Sequence, residues 1–242
     1  MTIIFTGITS DFITMTVDSA VKQDFGDRRE YETGEKIYKF PGVGFVATWG
    51  ERTGNDIHEF LIKEISRGKH TVYDLADFVE KHLKELHEPD KNGFGEVGYH
   101  VAGFDRENKA CLYHIFYGRD LPRSKEQDNP EYKRNDQSPK HNERGLFYNG
   151  RSDIATTVVH SLLNEIYSGK DTKFDLNSPF GMVYLGDLIV RFASELTKEV
   201  GPPFSTTLIT KNNNFEVINN EKMCPIDIEI LKEKLEKLGF NG

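Results

Sequence analysis

Apolar and polar positions change period several times along the chain, and each change marks an element. Thr2 to Thr9 and Phe12 to Asp18 are rich in Ile, Thr, Phe and Val and are separated by Ser10-Asp11, which predicts two strands joined by a tight turn. Lys36 to Phe40 and Val43 to Thr48 flank Pro41-Gly42 and read as a second hairpin. Beyond Gly50 the period becomes helical: Ile57, Phe60, Leu61 and Ile65 fall on one stripe, and Val72, Leu75, Phe78, Val79, His82, Leu83 and Leu86 on another after Thr71 as N-cap. Glu96 to Phe104 and Ala110 to Tyr117 alternate around the polar turn Asp105-Arg106-Glu107-Asn108. Two further helices are predicted, one capped by Ser152 and running to about Tyr167, the other starting near Pro179 and running to about Val200. Ser205 to Thr210 and Phe215 to Asn219 form a last hairpin around residues 211–214, and a short helix from Ile226 to Leu238 stops at Gly239.

Tight hairpins make antiparallel neighbours, whereas parallel strands need long crossovers, so this order excludes a doubly wound sheet. The economical packing is α+β: two antiparallel sheets face to face with helical pairs on their outer sides, a four-layer α-β-β-α sandwich formed by one domain over residues 1–242. The exception to the pattern is Arg119 to Arg144, almost wholly polar with three prolines and both charge signs; it reads as a solvated loop or flexible insertion.

Composition narrows the function. With 31 Lys and Arg against 39 Asp and Glu the net charge is −8, which argues against a surface for nucleic acid, where phosphates need clustered cations. Cys111 and Cys224 are too far apart in sequence for a C-x-x-C pair and carry neither a disulfide framework nor a zinc signature. The first 21 residues lack a basic start and contain Asp11 and Asp18, so an export signal is not expected. No uncharged apolar run is long enough to span a bilayer. A cytoplasmic protein without a membrane partner follows as the expectation.

The chemistry-bearing residues sit at the start. With the first turn centred on Ser10, Thr2 lies opposite Asp18, about 5 Å away across the strands. Ile3, Phe5, Gly7, Ile13, Met15 and Val17 then occupy one apolar face, and Thr2, Thr6, Thr14, Thr16 and Asp18 the other. After removal of Met1, Thr2 would carry a nucleophile, its Oγ, and a base, its own α-amine, whose ordinary pKa is about 8. A nearby lysine ammonium would depress that pKa by like-charge repulsion, and a carboxylate could hold the lysine in place. Asp18 is the candidate carboxylate; Lys36 and Lys39, on opposite faces of the next strand, are the candidate lysines.

The opening TIIFTGITSDFITMTVDSAV, followed by EKIYKFPGVGFVATWGERTGND and an amphipathic helix, resembles proteasome β-type subunits and their bacterial homologues among the N-terminal-nucleophile (Ntn) hydrolases. The resemblance implies Thr2 as nucleophile, Asp18 as its acidic partner, Lys36 as the lysine, Gly50 as the glycine whose N–H binds the oxyanion, and Ser19 as the residue after the aspartate. Around Asn149-Gly150-Arg151-Ser152 the glycine aligns, and Ser152 stands as candidate for the supporting serine. It reaches on to Tyr184-Leu185-Gly186 and to the strand entry Gly201-Pro202-Pro203, but offers no match for a second aspartate in Glu195 to Glu199. It implies a threonine peptidase needing no cofactor, a peptide or small amide as substrate, a homo-oligomeric ring and an ATP-dependent unfoldase as partner. A catalytically silent ring or scaffold subunit and a small-molecule amidase stay open beside it.

Other motifs add little. Eight histidines show no H-E-x-x-H pattern and read as scattered surface residues rather than a metal site. Gly42-Val43-Gly44 lacks the G-K-[ST] of a phosphate loop. Lys232, Lys234 and Lys237 alternate with Glu229, Glu233 and Glu236 as a solvated helix face.

Overall fold

In the computed structural model of the protein, two five-stranded antiparallel sheets face each other. The structure describes residues 2–24, 29–50, 57–85, 96–118, 131–140, 143–150, 154–157, 159–160, 175–211 and 214–219. The first sheet has the order β10-β1-β2-β11-β12, built from β1 (Ile3–Ile8), β2 (Phe12–Val17), β10 (Gly145–Gly150), β11 (Ser205–Thr210) and β12 (Asn214–Asn219). The second has the order β5-β6-β7-β8-β9, from β5 (Ile37–Phe40), β6 (Gly44–Gly50), β7 (Val97–Phe104), β8 (Ala110–Gly118) and β9 (Glu131–Asp136). Helices α1 (Ile57–Ile65) and α2 (Val72–Glu85) cover the second sheet, and α3 (Pro179–Leu196) covers the first. The predicted α-β-β-α sandwich is the observed architecture.

Local chemistry accounts for the helix starts. Thr71 and Asp74 exchange bonds across the first turn of α2, the Thr71 N–H donating to Asp74 Oδ2 at 2.7 Å and the Asp74 N–H to Thr71 Oγ1 at 3.3 Å, a capping box. Ser178 accepts from the Gly181 N–H at 3.1 Å, and Pro179 supplies the preset φ of the first helical residue. Helix α3 ends at Leu196 on the Thr197 cap, short of the predicted Val200. It lies close on the sheet because Gly186 has no side chain: a Cβ there would stand 2.4 Å from Thr16 Oγ1.

The register of the first hairpin differs from prediction by one residue. The Thr9 N–H donates to the Phe12 carbonyl at 3.0 Å, and Thr9 Oγ1 accepts from the Asp11 and Phe12 N–H groups at 3.2 and 3.1 Å. The loop is therefore the pair Ser10-Asp11 with its centre between them, and Ile4 meets Val17 while Ile8 meets Ile13. A one-residue slip exchanges the faces of one strand relative to the other. Ile4, Ile8, Ile13, Met15 and Val17 pack together between the sheets, whereas Ile3 and Phe5 pack under α3. Both faces of β1 are thus core, and the predicted polar face does not exist as such.

Two elements correct the pattern reading. Between Asp18 and Lys36 an unpredicted ribbon, β3 (Ala20–Asp24) with β4 (Arg29–Thr33), takes up the intervening chain. Within the polar segment 119–144, expected to be a loop, Glu131–Asp136 forms β9 and pairs along β8 from Tyr113 to Gly118. One of its polar residues packs inward: Arg134 donates to Asp77 and Glu80 of α2 and lies 5.0 and 4.9 Å from the ring centres of Tyr73 and Tyr113. Residues 154–157 are helical, but Ser152, Tyr167 and the predicted helix from Ile226 to Leu238 lie outside the described residues. No helix among the described residues is long and apolar enough to cross a membrane.

Candidate active site

Three residues from three chain segments meet where β1 begins. Asp18 follows β2, Lys36 precedes β5, and Thr2 precedes β1, so first-sheet residues meet a second-sheet residue across the sandwich. The Lys36 Nζ donates to Thr2 Oγ1 at 2.9 Å, to Asp18 Oδ2 at 2.9 Å and to the Ala20 carbonyl at 2.6 Å. These are three acceptors for the three hydrogens of an ammonium. Thr2, Asp18 and Lys36 are 5%, 0% and 5% exposed. Strand position selects the lysine: the Thr48 N–H donates to the Lys36 carbonyl at 3.1 Å, fixing Lys36 at the head of β5 with its side chain inward. Lys39 pairs with Phe45 on β6 and stays half-buried.

The register correction changes how Asp18 is held. Thr2 does not lie opposite it; instead the Ile3 N–H donates to Asp18 Oδ1 at 3.0 Å and the Ala20 N–H to Oδ2 at 3.0 Å. Burial pushes the Asp18 carboxyl above the usual carboxylate range, while the Lys36 ammonium and these two N–H groups pull it back. Asp18 and Thr2 are therefore joined through Lys36 rather than as cross-strand partners.

The other predicted residues divide. Ser19 is next to the cluster, but its hydroxyl donates to the Pro203 carbonyl, its N–H donates to the Gly201 carbonyl at 3.0 Å, and its carbonyl accepts from Gly34 at 2.8 Å. It ties the end of β2 to the approaches of β11 and β5. Gly50 closes β6 two residues beyond Thr48 with φ +89°, and a Cβ there would stand 2.1 Å from the Glu96 carbonyl oxygen. Gly150, paired with Ile3, lies against Thr2: a Cβ on it would stand 1.6 Å from the Thr2 carbonyl oxygen. Only a residue without a side chain fits there. Ser152 lies outside the described residues.

Sequence reasoning missed one polar group between the sheets. His100 on β7 is fully buried, with Nδ1 2.8 Å from Thr6 Oγ1 on β1 and Nε2 2.6 Å from Asn149 Oδ1 on β10. Burial lowers its pKa from 6.5 to about 4. His114, opposite it on β8 at 5.2 Å between ring centres, is also buried and held well below the ordinary histidine range, first by burial and then by His100. With His82 buried on α2 as well, the reading of the histidines as surface residues is corrected. The signal was present: the turn at 105–108 pairs Phe104 with Ala110, and the same register sets His100 against His114 in the middle of two apolar strands. Among the described residues no cluster of His, Cys, Asp or Glu could hold a metal ion.

No protein-family model matches the chain, and no curated protein matches it significantly. Solved structures do resemble it. Anbu (ancestral beta-subunit) from Yersinia bercovieri aligns with a TM-score of 0.59 at 13% identity, covering 98% of this chain and 94% of that one. Anbu in a helical assembly of the Anbu complex from Pseudomonas aeruginosa aligns with a TM-score of 0.61 at 13% identity, over 98% and 94%. A Gly-1 mutant of Anbu from Hyphomicrobium sp. strain MC1 aligns with a TM-score of 0.60 at 10% identity, over 98% and 96%. These findings correct the resemblance drawn from the sequence. The similar chains are ancestral beta-subunit proteins rather than the proteasome β-type subunits named there; the broader likeness to the proteasome-like Ntn group is kept, and at such identities it is one of fold: the proteasome-like Ntn fold.

Proposed function

We propose that the protein is an amide hydrolase that uses Thr2 as an N-terminal nucleophile once Met1 has been removed. The observation that carries this reading is the buried Lys36 ammonium hydrogen-bonded to both Thr2 Oγ1 and Asp18. An ammonium 2.9 Å from Oγ1 stabilises negative charge developing there and disfavours the charged form of an adjacent α-amine. In the mechanism the Thr2 amine takes the Oγ proton as Oγ attacks the carbonyl carbon. The tetrahedral oxyanion is received by the Gly50 N–H. Collapse breaks the C–N bond, the amine's proton passes to the leaving nitrogen, and an ester on Thr2 remains for water to cleave. Lys36 gives up no proton in this scheme, since Asp18 and the Ala20 carbonyl keep its remaining hydrogens engaged.

The substrate class is a peptide or a small amide. Assembly belongs to the same proposal: a homo-oligomer built by head-to-tail contacts, which close into a ring or continue as a helix according to the rotation between copies. The Pseudomonas aeruginosa Anbu complex is a helical assembly, and that favours the open form here over the closed ring the sequence resemblance implies. A silent scaffold subunit is the second reading: while Met1 stays attached, Thr2 has no free α-amine to act as base and is 5% exposed.

The test is turnover of a fluorogenic peptide panel by protein whose intact mass shows Met1 removed. The parent hydrolyses at least one amide, and Thr2→Ala hydrolyses none while keeping the native fold by circular dichroism, with its unfolding midpoint somewhat lowered because the buried Lys36 ammonium loses an acceptor. Equal turnover by the two proteins overturns the nucleophile, and no turnover by either, across peptides and simple amides, moves the assignment to the scaffold reading.

A further inference from the structure

We propose that His100 is a positioning residue for Thr2, aligning the nucleophile on the first sheet with the lysine on the second. The proposal rests on the hydrolase reading. Thr2 and Asp18 belong to the first sheet and Lys36 to the second, so the 2.9 Å contact between Lys36 Nζ and Thr2 Oγ1 depends on how one sheet sits over the other. Much of what lies between the sheets is apolar: Ile4, Ile8, Met15, Phe45 and Leu112 belong to that layer. Apolar contact is non-directional and resists separation more than it resists sliding. Directional bonds are what set lateral position at the sub-ångström scale.

His100 supplies such bonds to two strands at once. A side-chain carbonyl only accepts, so the imidazole Nε2 carries the hydrogen that reaches Asn149 Oδ1 at 2.6 Å. Nδ1 is then the lone pair and accepts from the Thr6 hydroxyl at 2.8 Å. A neutral ring has one donor and one acceptor, and both are used. The titratable neighbour on the adjoining strand is His114, itself buried.

Both partners lead directly to Thr2. Thr6 is on the strand that Thr2 opens. Asn149 pairs with Ile4 and precedes Gly150, whose backbone lies against the Thr2 carbonyl. Any shift of β7 relative to β1 and β10 therefore moves the Thr2 end of the sheet against Lys36. A misplacement of about 1 Å at a reacting group costs on the order of 100-fold in rate.

The experiment uses the Met1-free protein with His100→Leu, His100→Gln, Asn149→Ala and Thr6→Val. Glutamine offers one donor and one acceptor on a single amide; leucine offers neither. Expected is a fall in kcat of about 10- to 100-fold for His100→Leu with KM little changed, and recovery of most of it in His100→Gln. A second readout needs no turnover: the Thr2 α-amine is titrated by NMR, with the expectation that like-charge repulsion from Lys36 holds it lower in the parent than in His100→Leu. If that variant does not fold, Asn149→Ala and Thr6→Val, each removing one bond, show the same direction of change. An unchanged amine pKa and kcat in these single-bond variants overturns the proposal, as does an equal loss in His100→Gln and His100→Leu. Failure of the hydrolase reading looks different, namely no turnover by the parent, and the amine titration still decides the role of His100.

Discussion

At the scale of single residues, the cluster of Thr2, Asp18 and Lys36 stakes most on the charge at Lys36. Removing one partner of a buried ion pair leaves the other uncompensated, at a cost of about 3 to 5 kcal/mol. Asp18 is 0% exposed, so Lys36→Ala is expected to lower stability by that order, measured by urea unfolding, and to abolish hydrolysis. Lys39→Ala, three residues along and half-buried, is expected to change both little; if Lys39→Ala proves the damaging substitution, the assignment of Lys36 is wrong. How far this was legible follows from which signals are local. Strand period and the Ser10-Asp11 turn place Thr2, Asp18 and Lys36 at one end of the sheets, and that juxtaposition is readable from sequence. The register is not, because centring the turn on Ser10 or between Ser10 and Asp11 differs by a single Thr9–Phe12 bond. The role of Ser19 was not readable either, since its hydroxyl partner, Pro203, is 184 residues away.

At the scale of elements, strongly periodic segments were readable and polar ones were not. Strand β9 carries no apolar alternation because an edge strand beside a helix can be held by charge. Arg134 bonds Asp77 and Glu80 and lies over two tyrosine rings, and that set of contacts is invisible to a local pattern. Asp77 is 48% and Glu80 27% exposed, so solvent screens both pairs and their worth is about 1 kcal/mol together. Arg134→Ala is therefore expected to leave peptide turnover intact and to lower global stability only slightly. Its effect should appear locally, as faster amide hydrogen exchange in Glu131–Asp136 with protection of β7 and β8 retained. Uniform loss of protection across the whole sheet would show that β9 holds more of the fold than its ion pairs account for.

At the scale of the whole molecule, the intersheet layer makes stability depend on pH in a direction that the histidines set. A histidine whose pKa is lowered in the folded state binds a proton in the unfolded chain first, so unfolding gains as pH falls from the ordinary value toward the folded one. For His100 that window runs from 6.5 down to about 4. A difference of this size corresponds to on the order of 3 kcal/mol at its acid end. His114, also held well below 6.5, adds in the same direction. Asp18 opposes them: burial raises its carboxyl above the ordinary range, so the folded state takes up that proton before the unfolded chain does and this group alone adds stability as pH falls. The two imidazoles act in the same direction against one carboxyl, and the urea midpoint is expected to fall between pH 7 and pH 5, with part of the slope lost in His100→Gln. A midpoint that stays flat over that range would mean that these buried rings take up protons without leaving the folded state, and that the layer between the sheets admits water.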